Sequence, residues 1–198
     1  MNDSDKYILV CSPMRTGSTL VYNFFNECVD GYIVKKYEVS PMNFKEGVDF
    51  APILFRHPVV SIASLLEFLK KDYTLDNISL CYDRLKHQFE WAKQLLEDFP
   101  NCTKELRYEN FYNNIDYLAD WTRINLNYQV TDDDLTNFKL KFNIGCVKTM
   151  SENNLNLFQP NHISVNQGSN KEKLDKMYKT KLLYKELSNL ANDYGYDF

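Results

Sequence analysis

The sequence predicts an α/β domain with a mostly parallel central sheet flanked by helices. Short apolar runs alternate along the chain with longer segments in which apolar residues recur every three or four positions. This alternation favours parallel pairing, because each parallel strand needs a crossover connection that a helix supplies. The 198 residues show no internal repeat and no Pro/Gly/Ser-rich linker, so we expect residues 1–198 to form a single domain.

Four short runs are the predicted strands. They occupy residues 7–11, 32–39, 51–55 and 103–107. The first run is followed by the turn-forming sequence SPMRTGS, and the third continues directly into Arg-His-Pro. Both are strand-to-helix junctions, where free backbone N–H groups and the positive end of a helix are available to a ligand.

Helices are predicted in the segments between and after these strands. The apolar spacing indicates helices over residues 19–28, 59–70, 80–99, 115–124, 132–142 and 171–194. Pro58 suits a first helical turn and Pro100 ends the long helix. Residues 143–170 are rich in asparagine and irregular, so we expect a long functional loop there.

Charge and cysteine content limit the classes of function. A formal net charge of −4 argues against a broad nucleic-acid or anionic-membrane surface, which needs basic excess over a whole face. Five cysteines form no CxxC pair, and three scattered histidines do not complete a zinc site. No stretch has the length and apolarity of a signal peptide or membrane span, so a reducing cytoplasmic location is expected.

The strongest local signal follows the first strand, in residues 12–19. Gly17 lets the backbone approach an anion, Ser18 and Thr19 add hydroxyl donors, and Arg15 adds a fixed cation. The ATP-binding pattern GxxxxGK[ST] requires a lysine where this chain has Ser18, which disfavours an NTP-hydrolysing site. A plain helix cap, with Ser18 or Thr19 at the N-cap and Arg15 in solvent, stays open as the alternative.

The sequence SPMRTGSTL resembles the 5′-phosphosulfate loop of sulfotransferases, whose pattern is approximately P-[KR]-S-G-[ST]-[ST]. Arg15, Thr16, Gly17, Ser18 and Thr19 match it in order, with Thr16 in place of the commoner Ser. The resemblance implies the P-loop-like sulfotransferase fold. It also implies 3′-phosphoadenosine 5′-phosphosulfate (PAPS) as the donor and 3′-phosphoadenosine 5′-phosphate (PAP) as a product.

A second motif of that family grips the 3′-phosphate of the donor with an Arg, a Pro two residues later and a Ser eight residues after the Arg. Arg56, Pro58 and Ser64 stand in this arrangement. Ser61 is a neighbour that competes with Ser64 for the role. Capping of a sheet edge by Arg56 is the alternative interpretation.

Two further matches are weaker. Tyr108, within Leu-Arg-Tyr-Glu-Asn-Phe, resembles the family's adenine-proximal tyrosine. Gly168 and Lys171 keep the spacing of the family's C-terminal donor loop, whose Arg, Lys and Gly are replaced here. Because those residues are replaced, donor closure is expected to differ from that of the family and to use Ser164, Gln167 or Lys171.

The resemblance implies sulfuryl transfer to a hydroxyl or amine of a small-molecule or carbohydrate acceptor, without a metal. The resemblance assigns to Arg15 the neutralisation of developing charge, and it places a His or Glu base near the end of the second strand. No histidine lies between Arg15 and Arg56, so Glu38 is the candidate for that base. A working base is expected to be partly buried. A solvated carboxylate paired with Lys35 or Lys36 is the alternative interpretation of Glu38.

The sequence offers alternatives for the base, the function and the acceptor-binding residues. Glu46 and Asp49 are reserve bases. A kinase on a similar fold, and a catalytically silent nucleotide-binding domain, are the competing functions. Phe44, Phe50, Tyr73 and Phe158 are possible acceptor-lining rings, although most aromatic residues belong in the core. The sequence predicts neither the acceptor's identity nor the oligomeric state.

Overall fold

The computed structural model describes residues 5–40, 47–143, 150, 153 and 169–197. Within them, four parallel strands form one sheet in the order β2–β1–β3–β4. The strands are β1 Lys6–Ser12, β2 Tyr32–Glu38, β3 Ala51–Phe55 and β4 Thr103–Arg107. All four lie where the sequence predicted them, and the parallel α/β class is confirmed.

The helices of the described residues flank this sheet. They are α1 Ser18–Cys28, α2 Pro58–Phe68, α3 Leu75–Asp98, α4 Tyr108–Phe111, α5 Ile115–Leu126, α6 Asp132–Lys141, α7 Asn170–Thr180 and α8 Tyr184–Asp193. None of them is both long enough and apolar enough to cross a membrane.

Three differences from the predicted helices have local causes. The long helix α3 begins at Leu75 rather than residue 80, because the Thr74 side chain accepts a hydrogen bond from the Asn77 amide and caps it. The predicted terminal helix is two helices, since Lys181 and Leu183 adopt left-handed backbone angles (φ 53° and 50°) between them. The one-turn helix α4 was not predicted.

The order of the strands decides where a ligand can bind. From β1 the chain first adds β2 on one side and then β3 on the other, so the direction of winding reverses beside β1. In open parallel sheets, ligands bind at the carboxyl edge next to such a reversal, where the loops diverge. The loops after β1 and β3, which carry the two predicted anion motifs, are the ones that flank this point.

Two apolar layers hold these loops in place. One face of the sheet packs against α2, α3, α7 and α8, with Phe89 fully buried among them. The other face packs against α1, α5 and α6 through edge-to-face contacts such as Phe24 with Phe138. Burial of this size, about 1.5–3 kcal/mol for each large apolar side chain, makes the sheet edge a rigid platform for polar groups.

Candidate functional site

The loop after β1, residues 13–17, is wound tightly. Arg15 and Gly17 both have left-handed backbone angles, with φ 66° and 87°. The buried Thr16 between them donates its hydroxyl to the Pro13 carbonyl at 2.8 Å. Thr16 therefore supports the shape of the loop from inside, and backbone turns of this kind gather N–H groups into an anion-binding concavity.

Gly17 is required by its contacts as well as by its backbone angle. A Cβ atom at this position would lie 2.7 Å from Cδ2 of Tyr108 and 3.2 Å from Cζ of Phe111. The loop thus presses directly on α4, and the predicted adenine-proximal Tyr108 lies against the predicted phosphate loop.

Helix α1 begins at Ser18, with Gly17 at its N-cap and without a side-chain cap. The amides of a first helical turn have no intrahelical acceptor, so they remain available to an anion at the loop. The plain-cap interpretation, which put Ser18 or Thr19 at the N-cap and Arg15 in solvent, does not describe this junction. Arg15 is only partly exposed.

Arg15 joins the first motif to the second. Its Nε atom donates to Ser64 Oγ at 3.3 Å, and its guanidinium lies 4.7 Å from the centre of the Phe68 ring. Burial, followed by the nearby charge of Arg56, lowers the pKa of Arg15 to about 10. Arg15 therefore remains a cation at neutral pH, and its charge is unusually poorly solvated.

Arg56 is buried at the end of β3 and contacts three parts of the chain. Nη1 donates to the Arg15 carbonyl at 3.0 Å, and Nη2 donates to Asn170 Oδ1 at 2.6 Å. Its guanidinium lies 4.2 Å from the centre of the Tyr108 ring. Arg56 Nε is buried without a hydrogen-bond partner among the described residues, so its N–H group is a donor that remains unused.

Lys36 is a site residue that the sequence did not separate from its neighbour. Its Nζ donates to Thr19 Oγ1 at 2.6 Å, whereas Lys35 is exposed over the Tyr7 ring. Burial, and then the charge of Arg15, lower the pKa of Lys36 to about 8. The alternating sides of β2 are the signal that distinguishes the two lysines, because successive side chains of a strand point in opposite directions.

Glu38, the candidate base, ends β2 beside the loop. Its Oε2 accepts from Gln88 Nε2 at 3.3 Å and lies 3.6 Å from Arg84 Nη2. Gln88 in turn accepts from the Met14 amide at 2.7 Å, which links Glu38 to the phosphate loop through one buried side chain. The carboxylate pairs with Arg84 on α3, and its side chain is 57% exposed rather than partly buried as expected.

Of the remaining predicted positions, some are described by the structure and the others are not. Asp49 accepts from the Tyr7 amide at the amino end of β1, the end opposite the loop, and Phe50 is in the core against Trp121. Lys171 is exposed on α7. Ser164, Gln167, Gly168, Glu46, Phe44 and Phe158 lie outside the described residues.

The turn after Arg56 is tied to the C-terminal residues by one carboxylate. Glu109 accepts from the His57 amide at 2.9 Å and from the Tyr196 hydroxyl at 3.1 Å. The His57 ring packs 5.0 Å from the Tyr196 ring, and its Nε2 lies 2.8 Å from the Asp197 carbonyl. Burial lowers the pKa of His57, which keeps this ring neutral at physiological pH. These contacts with Glu109 and the C-terminal residues fix the backbone turn that follows Arg56.

No protein-family model matches this chain, and no curated protein sequence matches it. A solved structure does: the crystal structure of mouse sulfotransferase SULT7A1 complexed with PAP superposes with a TM-score of 0.63 at 10% sequence identity. The match covers 96% of this chain and 88% of that one. The chain adopts the sulfotransferase fold. The fold implied by residues 12–19 is confirmed, and at this identity the likeness concerns the fold alone.

The contact between Gly17 and Tyr108 gives a direct test of the loop. We expect Gly17→Ala to lower the free energy of unfolding by about 1–2 kcal/mol from backbone strain and by about 1–3 kcal/mol more from the clash. Gly31→Ala is the matched control, because Gly31 has φ 80° but a methyl group there would meet no atom within 4 Å. Urea denaturation of both variants measures the difference. Equal losses would contradict a tight contact between the loop and α4.

Proposed function

We propose that this chain is a PAPS-dependent sulfotransferase that moves a sulfuryl group to a hydroxyl or amine of a small-molecule or carbohydrate acceptor and releases PAP. The observation that carries the proposal is the contact of Arg15 with both Ser64 and Arg56. These contacts lie beside β1, where the winding of a sulfotransferase fold reverses. Two distant loops bring two poorly solvated cations together, and an anionic ligand would stabilise that arrangement.

The donor fits the polar groups that these loops present. Arg15 with Gly17, Ser18 and Thr19 would hold the 5′-phosphosulfate, since a helix start and a cation suit an anion there. Arg56 and Ser64 would hold the 3′-phosphate. The unused, buried Arg56 Nε is a donor with no other acceptor in the described structure, which supports this assignment. The solved neighbour named above contains PAP.

PAPS supplies the sulfuryl group, whose bond to the 5′-phosphate oxygen breaks as a bond to the acceptor oxygen or nitrogen forms. Arg15 and Lys36 would neutralise the charge that develops on the leaving phosphate oxygen, because both present cations to the loop. Glu38 would accept the proton that the acceptor loses. The Gln88 bridge to Met14 would keep its carboxylate at a fixed distance from the loop.

Selective stabilisation by nucleotides tests the proposal against a kinase. We expect PAP to raise the melting temperature of the protein and Mg-ATP to leave it unchanged, because the stabilisation follows the ligand concentration divided by Kd. Arg56→Gln is expected to remove the shift with PAP. Arg123→Gln is the control, since Arg123 is an exposed residue that pairs with Asp120 on α5. A shift with Mg-ATP alone would favour the kinase.

Turnover distinguishes an enzyme from a silent nucleotide-binding domain. With labelled PAPS and a panel of phenol, amine and sugar acceptors, we expect Arg15→Ala to reduce transfer at least about a hundredfold. Glu38→Gln, which keeps the shape of the side chain, is expected to reduce kcat by roughly 10²–10⁴-fold while PAP affinity stays unchanged. Normal turnover in both folded variants would remove these roles. PAP binding without transfer to any acceptor would indicate the silent domain.

Lys36 predicts a pH dependence of PAP affinity. With a pKa of about 8, Lys36 loses its charge as the pH rises from about 7 to 9, whereas the phosphates of PAP are already almost fully ionised. The Kd for PAP is therefore expected to rise over this range. Lys36→Arg should flatten the profile because the guanidinium stays charged, and Lys35→Arg should not. A wild-type Kd that is constant over this range would contradict a role for Lys36 in donor binding.

A further inference from the structure

Helix α7 carries a lysine that is buried next to the candidate site. Lys173 is 4% exposed, although lysine is among the residues least often buried. Its Nζ lies 3.2 Å from Glu67 Oε2, and the Glu67 side chain is itself 12% exposed. A buried lysine needs a reason beyond one ion pair, because removing both charges from water often costs as much as their attraction returns.

The start of α7 is attached to Arg56. Arg56 Nη2 donates to Asn170, the first residue of the helix, and a capping box between Ser169 and Glu172 defines this start. Lys173 follows Asn170 by three positions, so the two side chains lie on the same face of α7. The face that contacts Arg56 is thus the face that buries Lys173.

The same relation holds on α2, which packs against α7. Ser64 accepts from Arg15, and Glu67 follows Ser64 by three positions on the same helical face. The ion pair between Lys173 and Glu67 therefore lies one helical turn beyond the contacts of both site arginines. A ring of contacts connects the two loops through α2 and α7.

In this ring of contacts, the positive charges of Arg15, Arg56 and Lys173 exceed the negative charge of Glu67. Glu67 also accepts from Lys176 Nζ at 2.9 Å and from the Tyr73 hydroxyl at 3.1 Å, so its charge is already compensated from the solvent side. Lys173 adds a second cation to one carboxylate. Burial and the charges of Arg56 and Arg15 lower the pKa of Lys173, whereas Glu67 opposes this effect. The charge of Lys173 is therefore close enough to both arginines to be affected by them.

We propose that Lys173 is a ligand of the donor's 3′-phosphate, acting together with Arg56 and shared with Glu67 when the donor is absent. This inference rests on the proposed function. It identifies the cation that α7 brings to the site. Residues 151–170 contain no lysine or arginine. Lys171, the residue expected from the sequence, is exposed. Lys173 is the buried lysine of this helix.

Isothermal titration of the full chain with PAP and with 5′-AMP tests the assignment, because 5′-AMP lacks only the 3′-phosphate. For Lys173→Met we expect the Kd for PAP to rise about tenfold or more, the effect of one lost charge-assisted contact. The Kd for 5′-AMP is expected to stay within about twofold of the wild-type value. Lys176→Met is the matched control, because Lys176 shares Glu67 but is half-exposed, and it should change neither constant.

Each other outcome of the titrations leads to a different conclusion. Equal changes for PAP and 5′-AMP, or none, in Lys173→Met would overturn the proposal and leave Lys173 as a structural partner of Glu67. A selective loss in Lys171→Met instead would assign the contact to Lys171. If Lys173→Met does not fold, Glu67→Gln/Lys173→Met removes both buried charges, and the same selective loss of PAP affinity is required. A wild-type chain that binds 5′-AMP as tightly as PAP would overturn the proposed function itself.

Discussion

The site depends on the guanidinium of Arg56. Its planar set of donors engages the carbonyl of Arg15 and the side chain of Asn170, and its face lies on the Tyr108 ring. The loop after β1, the helix after β4 and the start of α7 are therefore positioned by one buried cation. A buried cation is poorly solvated here, so the interaction that organises the loops is also one that an anionic ligand would stabilise.

The sheet explains why these distant segments meet. Reversal of the winding beside β1 leaves a gap at the carboxyl edge, and the loops after β1 and β3 border it. Positive charge is concentrated at this edge of the sheet. The chain as a whole carries a net charge of −4, yet Arg15, Arg56 and Lys36 gather at one edge of the sheet. The net charge of the whole chain therefore does not describe this cluster, which presents locally the positive charge that an anionic ligand would require.

Much of this arrangement was predictable. The strand positions follow from short strand-forming runs, and the resemblance of two motifs to sulfotransferase loops implied that Arg15 and Ser64 serve one donor site. The misses have physical causes. Lys35 and Lys36 are adjacent residues of the same type, and they differ only in the side of β2 on which their side chains lie. Lys173 has no motif of its own, and only the packing of α7 on α2 reveals its burial. Side-chain environments that depend on helix packing cannot be read from periodicity.

The most direct test of the donor site is a crystal structure of the chain with PAP. We expect the 3′-phosphate within hydrogen-bonding distance of Arg56 and Ser64, the 5′-phosphate on the amides of Gly17, Ser18 and Thr19, and the adenine near Tyr108. Density for PAP at another surface, with Arg56 Nε still unpartnered, would contradict the formation of a donor site by these two loops.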